Sequence, residues 1–116
     1  MLDPLAVLDR FGDEEFLREL WLKARGQLPI ELAGVEQLRS QGRAEGEMGR
    51  RLHKLRGLIA NFLEGGEAIV ALRHCEEISR EMNGEVPQEP WEAFLRTLEA
   101  ESGGLERWLD ERGYPC

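Results

Sequence analysis

Residues 48–63, MGRRLHKLRGLIANFL, decide how this chain folds. At about 100° of rotation per residue, Met48, Leu52, Leu55, Ile59 and Phe62 fall on one stripe, the buried face of an amphipathic helix. His53 lies about 130° from the centre of that stripe, so it projects to solvent. Gly49 and Gly57 stand one turn before and after it, with Gly46 and Ala60 on the same side. Each internal glycine costs a helix about 0.5–1 kcal/mol relative to alanine. A histidine surrounded by side chains no larger than a methyl group stands proud of its helix, open to the concave site of another molecule.

Outward from this helix, predicted over Glu45 to Leu63, the periodicity stays helical, and no window alternates at period two. Toward the N-terminus, Asp3 caps a short helix with Pro4 at its first position and Gly12 as its stop. Asp13 then caps a long helix whose stripe runs Leu17, Leu20, Trp21, Ala24, Leu28, Leu32, Val35 and Leu38. Pro29 falls inside the stripe without breaking its phase, so one helix kinked near Gly26–Pro29 and reaching about Arg39 is expected. Residues 40–46, SQGRAEG, connect it to the histidine helix, which Gly65–Gly66 closes. A further helix spans about Glu67 to Met82, with Ala68, Leu72, Cys75, Ser79 and Met82 on one side. After the loop NGEVPQEP (83–90), the positions Trp91, Phe94, Leu95, Leu98, Leu105, Trp108 and Leu109 keep one phase across Ser102-Gly103-Gly104. A single last helix to about Arg112 is expected. The three tryptophans read as packing anchors. The fold class is all-α: a single domain over residues 1–116, an antiparallel up-down four-helix bundle with a short N-terminal capping helix.

The chain carries 23 acidic against 15 basic residues, a net charge of −8. That surface repels nucleic acid and anionic lipid, so neither is an expected partner. The N-terminus lacks the basic start and apolar run of a signal peptide, and no stretch is long enough to span a bilayer. With two cysteines, Cys75 in a core stripe and Cys116 at the end, no disulfide framework is expected, and the cytoplasm is the expected compartment. The bases are concentrated, however: Arg43, Arg50, Arg51, Lys54 and Arg56 surround His53. A basic patch on an acidic chain suits a small anionic target or an acidic cleft on a partner, and equally a solvated helix face of mixed charge. Imidazole free in water titrates near about pH 6.5, so its neutral, nucleophilic form prevails at neutral pH. Phosphoryl transfer is mostly positioning and charge stabilisation, for which neighbouring Arg and Lys are the right chemistry.

His53-Lys54-Leu55-Arg56-Gly57 resembles the histidine–x–hydrophobic–basic–glycine core of the histidine phosphotransfer (HPt) domain of multistep two-component phosphorelays. The surroundings agree: a long helix ending at Leu38, a short turn with Gly42, the histidine helix, a glycine turn, then a helix bearing a small Cys75. The resemblance implies a phosphorelay intermediate with no kinase activity of its own. In it His53 takes a phosphoryl group from the aspartate of one receiver domain and passes it to another. Gly57 would give clearance and Arg56 would hold phosphoryl oxygens. Gly49, Arg50, Lys54, Leu58 and Ala60 complete the expected phosphoryl- and partner-binding set, with Leu63 and the second helix adding docking contacts. The expected partners are response-regulator receivers, with a hybrid histidine kinase as a second candidate, and the chain is expected to act as a monomer. No cofactor is expected on this chain, because magnesium would come with the receiver. The chain departs from the family pattern at Leu52, Leu58, Ile59 and Leu63, where smaller residues are usual.

Two other functions stay open from the sequence. The domain could dock on a receiver or kinase and regulate it without chemistry at His53, or it could be an unrelated bundle that scaffolds through its acidic last helix. His74, Cys75 and Cys116 lack the spacing of a metal set, and His74 reads as a surface residue. Glu76-Glu77 and Glu99–Glu101 read as solvated helix faces.

Overall fold

A computed structural model of the chain describes residues 2–42 and 45–116; the side chain of Glu45 and the expected contribution of Arg43 lie outside the described residues. Among the described residues five helices follow in order: α1 Pro4–Phe11, α2 Glu14–Gln41, α3 Glu45–Leu63, α4 Glu67–Glu81 and α5 Gln88–Glu111. There is no strand among the described residues. The molecule measures 45 × 24 × 20 Å, and among the described residues no helix is long and apolar enough to cross a membrane.

Local chemistry sets the helix ends. The Asp3 carboxylate accepts the Leu5 N–H at 3.1 Å, and Asp13 accepts the Phe16 N–H at 2.8 Å, satisfying donors that a first turn leaves open. Gly12, with φ 90°, takes the left-handed turn between α1 and α2. Pro29 is accommodated within α2, and α5 passes through residues 102–104 as one helix. The start of α4 is unusual. Gly66 offers no side chain, and the cap comes from another helix: the Glu101 carboxylate of α5 accepts the N–H groups of Glu67 (2.9 Å) and Ala68 (2.8 Å). A Cβ on Gly66 would meet the Glu101 carboxyl carbon at 2.7 Å, so this contact requires glycine. Glu101 is therefore a structural cap and not the solvated acid the sequence suggested.

The core collects the expected stripes. Met48, Leu52, Leu55 and Ile59 of α3 are fully buried beside Leu17, Trp21 and Val35 of α2, Leu72 and Cys75 of α4, and Phe94, Leu105 and Leu109 of α5. Phe62 stacks on Phe11 of α1, ring centres 5.1 Å apart, and meets the Trp21 ring edge-on at 5.3 Å, which seats α1 over one end of the core. The buried tryptophans satisfy their indole N–H groups on carboxylates. Trp21 donates to Glu106 at 2.8 Å, and Trp91 donates to Glu36. Trp108 is half-buried, under the Arg112 guanidinium at 4.5 Å. Two positions, Met82 and Leu63, depart from expectation, and Glu31 adds a burial that the apolar stripes did not include. Met82, assigned to the core stripe of α4, is 41% exposed, because the helix ends at Glu81. Glu31, inside the apolar face of α2, is buried. Leu63, expected on the surface as a docking contact, is fully buried.

Candidate functional site

His53 is set by the face of α3 opposite its apolar stripe. Leu52 and Leu55 are driven into the core, so the residue between them that turns furthest away is left in solvent, its side chain 76% exposed. A Cβ built on Gly49 or on Gly57 would meet nothing within 4 Å. Neither glycine is needed for packing within the chain. Each leaves open space on the surface of α3 one turn from the imidazole.

An open groove of about 1020 Å³ runs between α3 and α4, with His53, Gly46, Gly49, Arg50, Lys54 and Arg56 on one side and Glu76, Ser79, Arg80, Asn83 and Gly84 on the other. It holds four cations (Arg50, Lys54, Arg56, Arg80) against one carboxylate, Glu76, on a chain of net charge −8. The groove thus joins five of the expected site residues, namely His53, Gly49, Arg50, Lys54 and Arg56. Gly57 lies exposed beside it, while Leu58 and Ala60 are half-buried against the core and do not line it. Of the basic cluster, Arg51 lies elsewhere: its guanidinium crosses α2, 3.1 Å from where a Cβ on Gly34 would stand.

The histidine is engaged on one edge. A guanidine nitrogen of Arg56 lies 3.1 Å from His53 Nδ1. A guanidinium only donates, so Nδ1 is the acceptor, and the neutral ring carries its proton on Nε2. Arg56 in turn donates through Nε to Glu76, at 3.0 and 3.2 Å from the two carboxylate oxygens. Glu76 Oε1 is 3.9 Å from His53 Nδ1, beyond hydrogen-bond reach. On the other flank Lys54 Nζ pairs with Glu31 of α2 at 3.3 Å.

Glu76 and Glu31 are the residues that sequence reasoning missed. Glu76 was read as part of a solvated pair, yet its side chain is only 13% exposed; Glu31 broke no pattern strongly enough to be noticed. Both depend on which helix lies alongside α3, a fact that periodicity within one helix does not contain.

Among the described residues no group of three or more His, Cys, Asp or Glu is placed to hold a metal ion. His74 is exposed on α4, and both cysteines are free thiols, Cys75 buried and Cys116 exposed. The Cys75 thiol donates to the Pro90 carbonyl at 3.5 Å, and burial pushes its pKa up to about 11. A scan against models of known protein families, and searches of curated proteins and of solved structures, find no match to this chain.

Proposed function

We propose that this chain is a histidine-containing phosphotransfer protein, which takes a phosphoryl group on His53 from a receiver-domain aspartate and hands it to a second receiver. The observation that carries the reading is an imidazole 76% exposed, cleared by Gly49 and Gly57 and flanked by Arg56 and Lys54. Its frame is an antiparallel up-down bundle of α2 to α5 capped by α1. Supporting that arrangement are the pairs Glu14–Arg112 and Glu36–Trp91 between α2 and α5, Glu31–Lys54 between α2 and α3, and Glu67–Glu101 and Cys75–Pro90 between α4 and α5. The work is done in the cytoplasm by a monomer, without kinase activity of its own.

The chemistry follows from the ring's engagement. Arg56 leaves Nδ1 while its Nε stays on Glu76, and the ring proton moves from Nε2 to Nδ1, where it faces solvent. The freed Nε2 lone pair then attacks phosphorus in line, the N–P bond forms, and the P–O bond to aspartate breaks with its electron pair staying on the carboxylate. Arg56, Lys54 and Arg50 offset charge on the phosphoryl oxygens, and magnesium carried by the receiver supplies further neutralisation. Transfer to the second receiver reverses these steps.

The test is to incubate the chain with ³²P-labelled phospho-receivers and follow the label. Wild type is expected to acquire acid-labile label, and His53→Gln none; equal labelling of the two defeats the proposal. A second reading is a binding module that docks on a receiver or kinase without chemistry. The Arg56 guanidinium over Nδ1 favours it, because the ring as it stands has no free lone pair. That reading expects His53→Gln to keep full receiver affinity and full biological effect.

A further inference from the structure

The two cations that flank His53 along α3 are each tied to a carboxylate on a neighbouring helix: Lys54 to Glu31 of α2 at 3.3 Å, Arg56 to Glu76 of α4 at 3.0 Å. The pairs are lopsided in burial. The Glu31 and Glu76 side chains are 10% and 13% exposed, against 68% for Lys54 and 28% for Arg56. A buried anion is fixed in place, whereas a cation at the surface can pivot. Drawing that cation away leaves a carboxylate uncompensated in a low-dielectric setting, which is costly.

A phosphoryl group on His53 would bring close to two negative charges between these cations. Were Lys54 and Arg56 free, each would form a charge-assisted hydrogen bond with it and deepen the phosphohistidine well. A relay intermediate gains nothing from a deep well, since whatever stabilises the loaded state equally raises the barrier to passing the group on. With Glu31 and Glu76 in place, each cation must loosen a bond to a buried anion before it can serve the phosphoryl oxygens.

Resting on the phosphotransfer reading of His53, we infer that Glu31 and Glu76 are positioning residues that hold Lys54 and Arg56 partly back from the phosphoryl group, and so set how readily His53 gives it up. The exchange balances with no further reactant. The histidine N–P bond breaks as the receiver's aspartate oxygen bonds to phosphorus, the electron pair returns to Nε2, and each cation returns to its own carboxylate.

The experiment is a partition at equilibrium. Labelled phospho-receiver is mixed with the full chain, and the ratio of label on His53 to label on the receiver is measured for wild type and variants. A partition reports the free energy of the loaded state per folded molecule, which a merely structural weakening does not move. Glu76→Gln is expected to shift the ratio toward His53 by about threefold to tenfold. Glu31→Gln is expected to shift it the same way by less, because Lys54 is more solvated. Glu76→Asp, which keeps the charge, should return the ratio toward wild type. In an Arg56→Gln background the Glu76→Gln shift should fall by half or more, since the carboxylate acts through that guanidinium. Thermal melts establish that each variant is folded, and if Glu76→Gln is not, Glu31→Gln decides alone. An unmoved ratio in the folded charge-removing variants overturns the inference, as does a Glu76→Gln shift of the same size with and without Arg56. Absence of label on wild-type His53 is a different failure: it removes the phosphotransfer reading itself and this inference with it.

Discussion

Glycines on either side of His53 make a prediction in which stability and function move in opposite directions. Both lie inside α3 with open space where a Cβ would go, so Gly49→Ala and Gly57→Ala should each stabilise the free chain by about 0.5–1 kcal/mol in urea unfolding. If a receiver closes over the histidine, the same methyl groups intrude on it, and Gly57→Ala should slow transfer from a phospho-receiver about tenfold or more. A stabilised variant with undiminished transfer would remove the reason given for the glycine. The exposure of His53 was legible in the sequence because it needs only the rotation of one helix. By the same count Leu63 lies about 60° from the centre of the stripe, within reach of the core. Its place as a docking contact rested on the resemblance to the phosphotransfer family rather than on this rotation, and the rotation is what its full burial follows. Glu76 could not have been found this way, because its role comes from Arg56 on a different helix.

At the scale of the elements, all five helices and most of the core positions follow from capping residues and 3.6-residue spacing. Pro29 and Gly103–Gly104 did not end their helices because the apolar phase on either side of each was continuous, and burial of one unbroken stripe outweighs a local propensity cost of about 1–3 kcal/mol. What spacing does not carry is the cap of α4, supplied by a residue 34 positions away in the chain. Replacing Glu101 by Gln keeps shape but weakens two charge-assisted bonds, and a loss of about 1 kcal/mol in urea unfolding is expected. Gly66→Ala should also destabilise, unlike alanine at Gly49 or Gly57, because here the new methyl group collides with the Glu101 carboxylate. The contrast between these glycines, measured in one set of melts, separates those that serve packing from those that leave room for something outside.

For the molecule as a whole, charge and pH give two expectations. The groove's excess of cations on a chain of net charge −8 makes association with an acidic partner surface screenable. On the phosphotransfer reading, receiver affinity should fall as salt is raised through about 0.1–0.5 M, and Arg50→Gln should flatten that dependence. Cys75 sets a limit at high pH. Its thiol is raised from the ordinary value of 9.0 to about 11 by burial. Between those values the unfolded chain gives up the thiol proton while the folded chain keeps it. The thiol's contribution is therefore whole below pH 9.0 and declines as pH rises toward 11. From about pH 8 to about pH 10 wild type should lose on the order of 1 kcal/mol more than Cys75→Ala in urea unfolding. Identical slopes would contradict the burial argument.

Because the Glu101 carboxylate holds the N–H groups of Glu67 and Ala68, those two amides become reporters of a distant event. They can exchange with deuterium only when the Glu101 carboxylate lets go, so their protection should follow the hold of the last helix on α4 as well as the fraying of α4 itself. Because no residue lining the groove belongs to α5, a ligand that seats there on α3 and α4 alone should leave exchange at Glu67 and Ala68 unchanged.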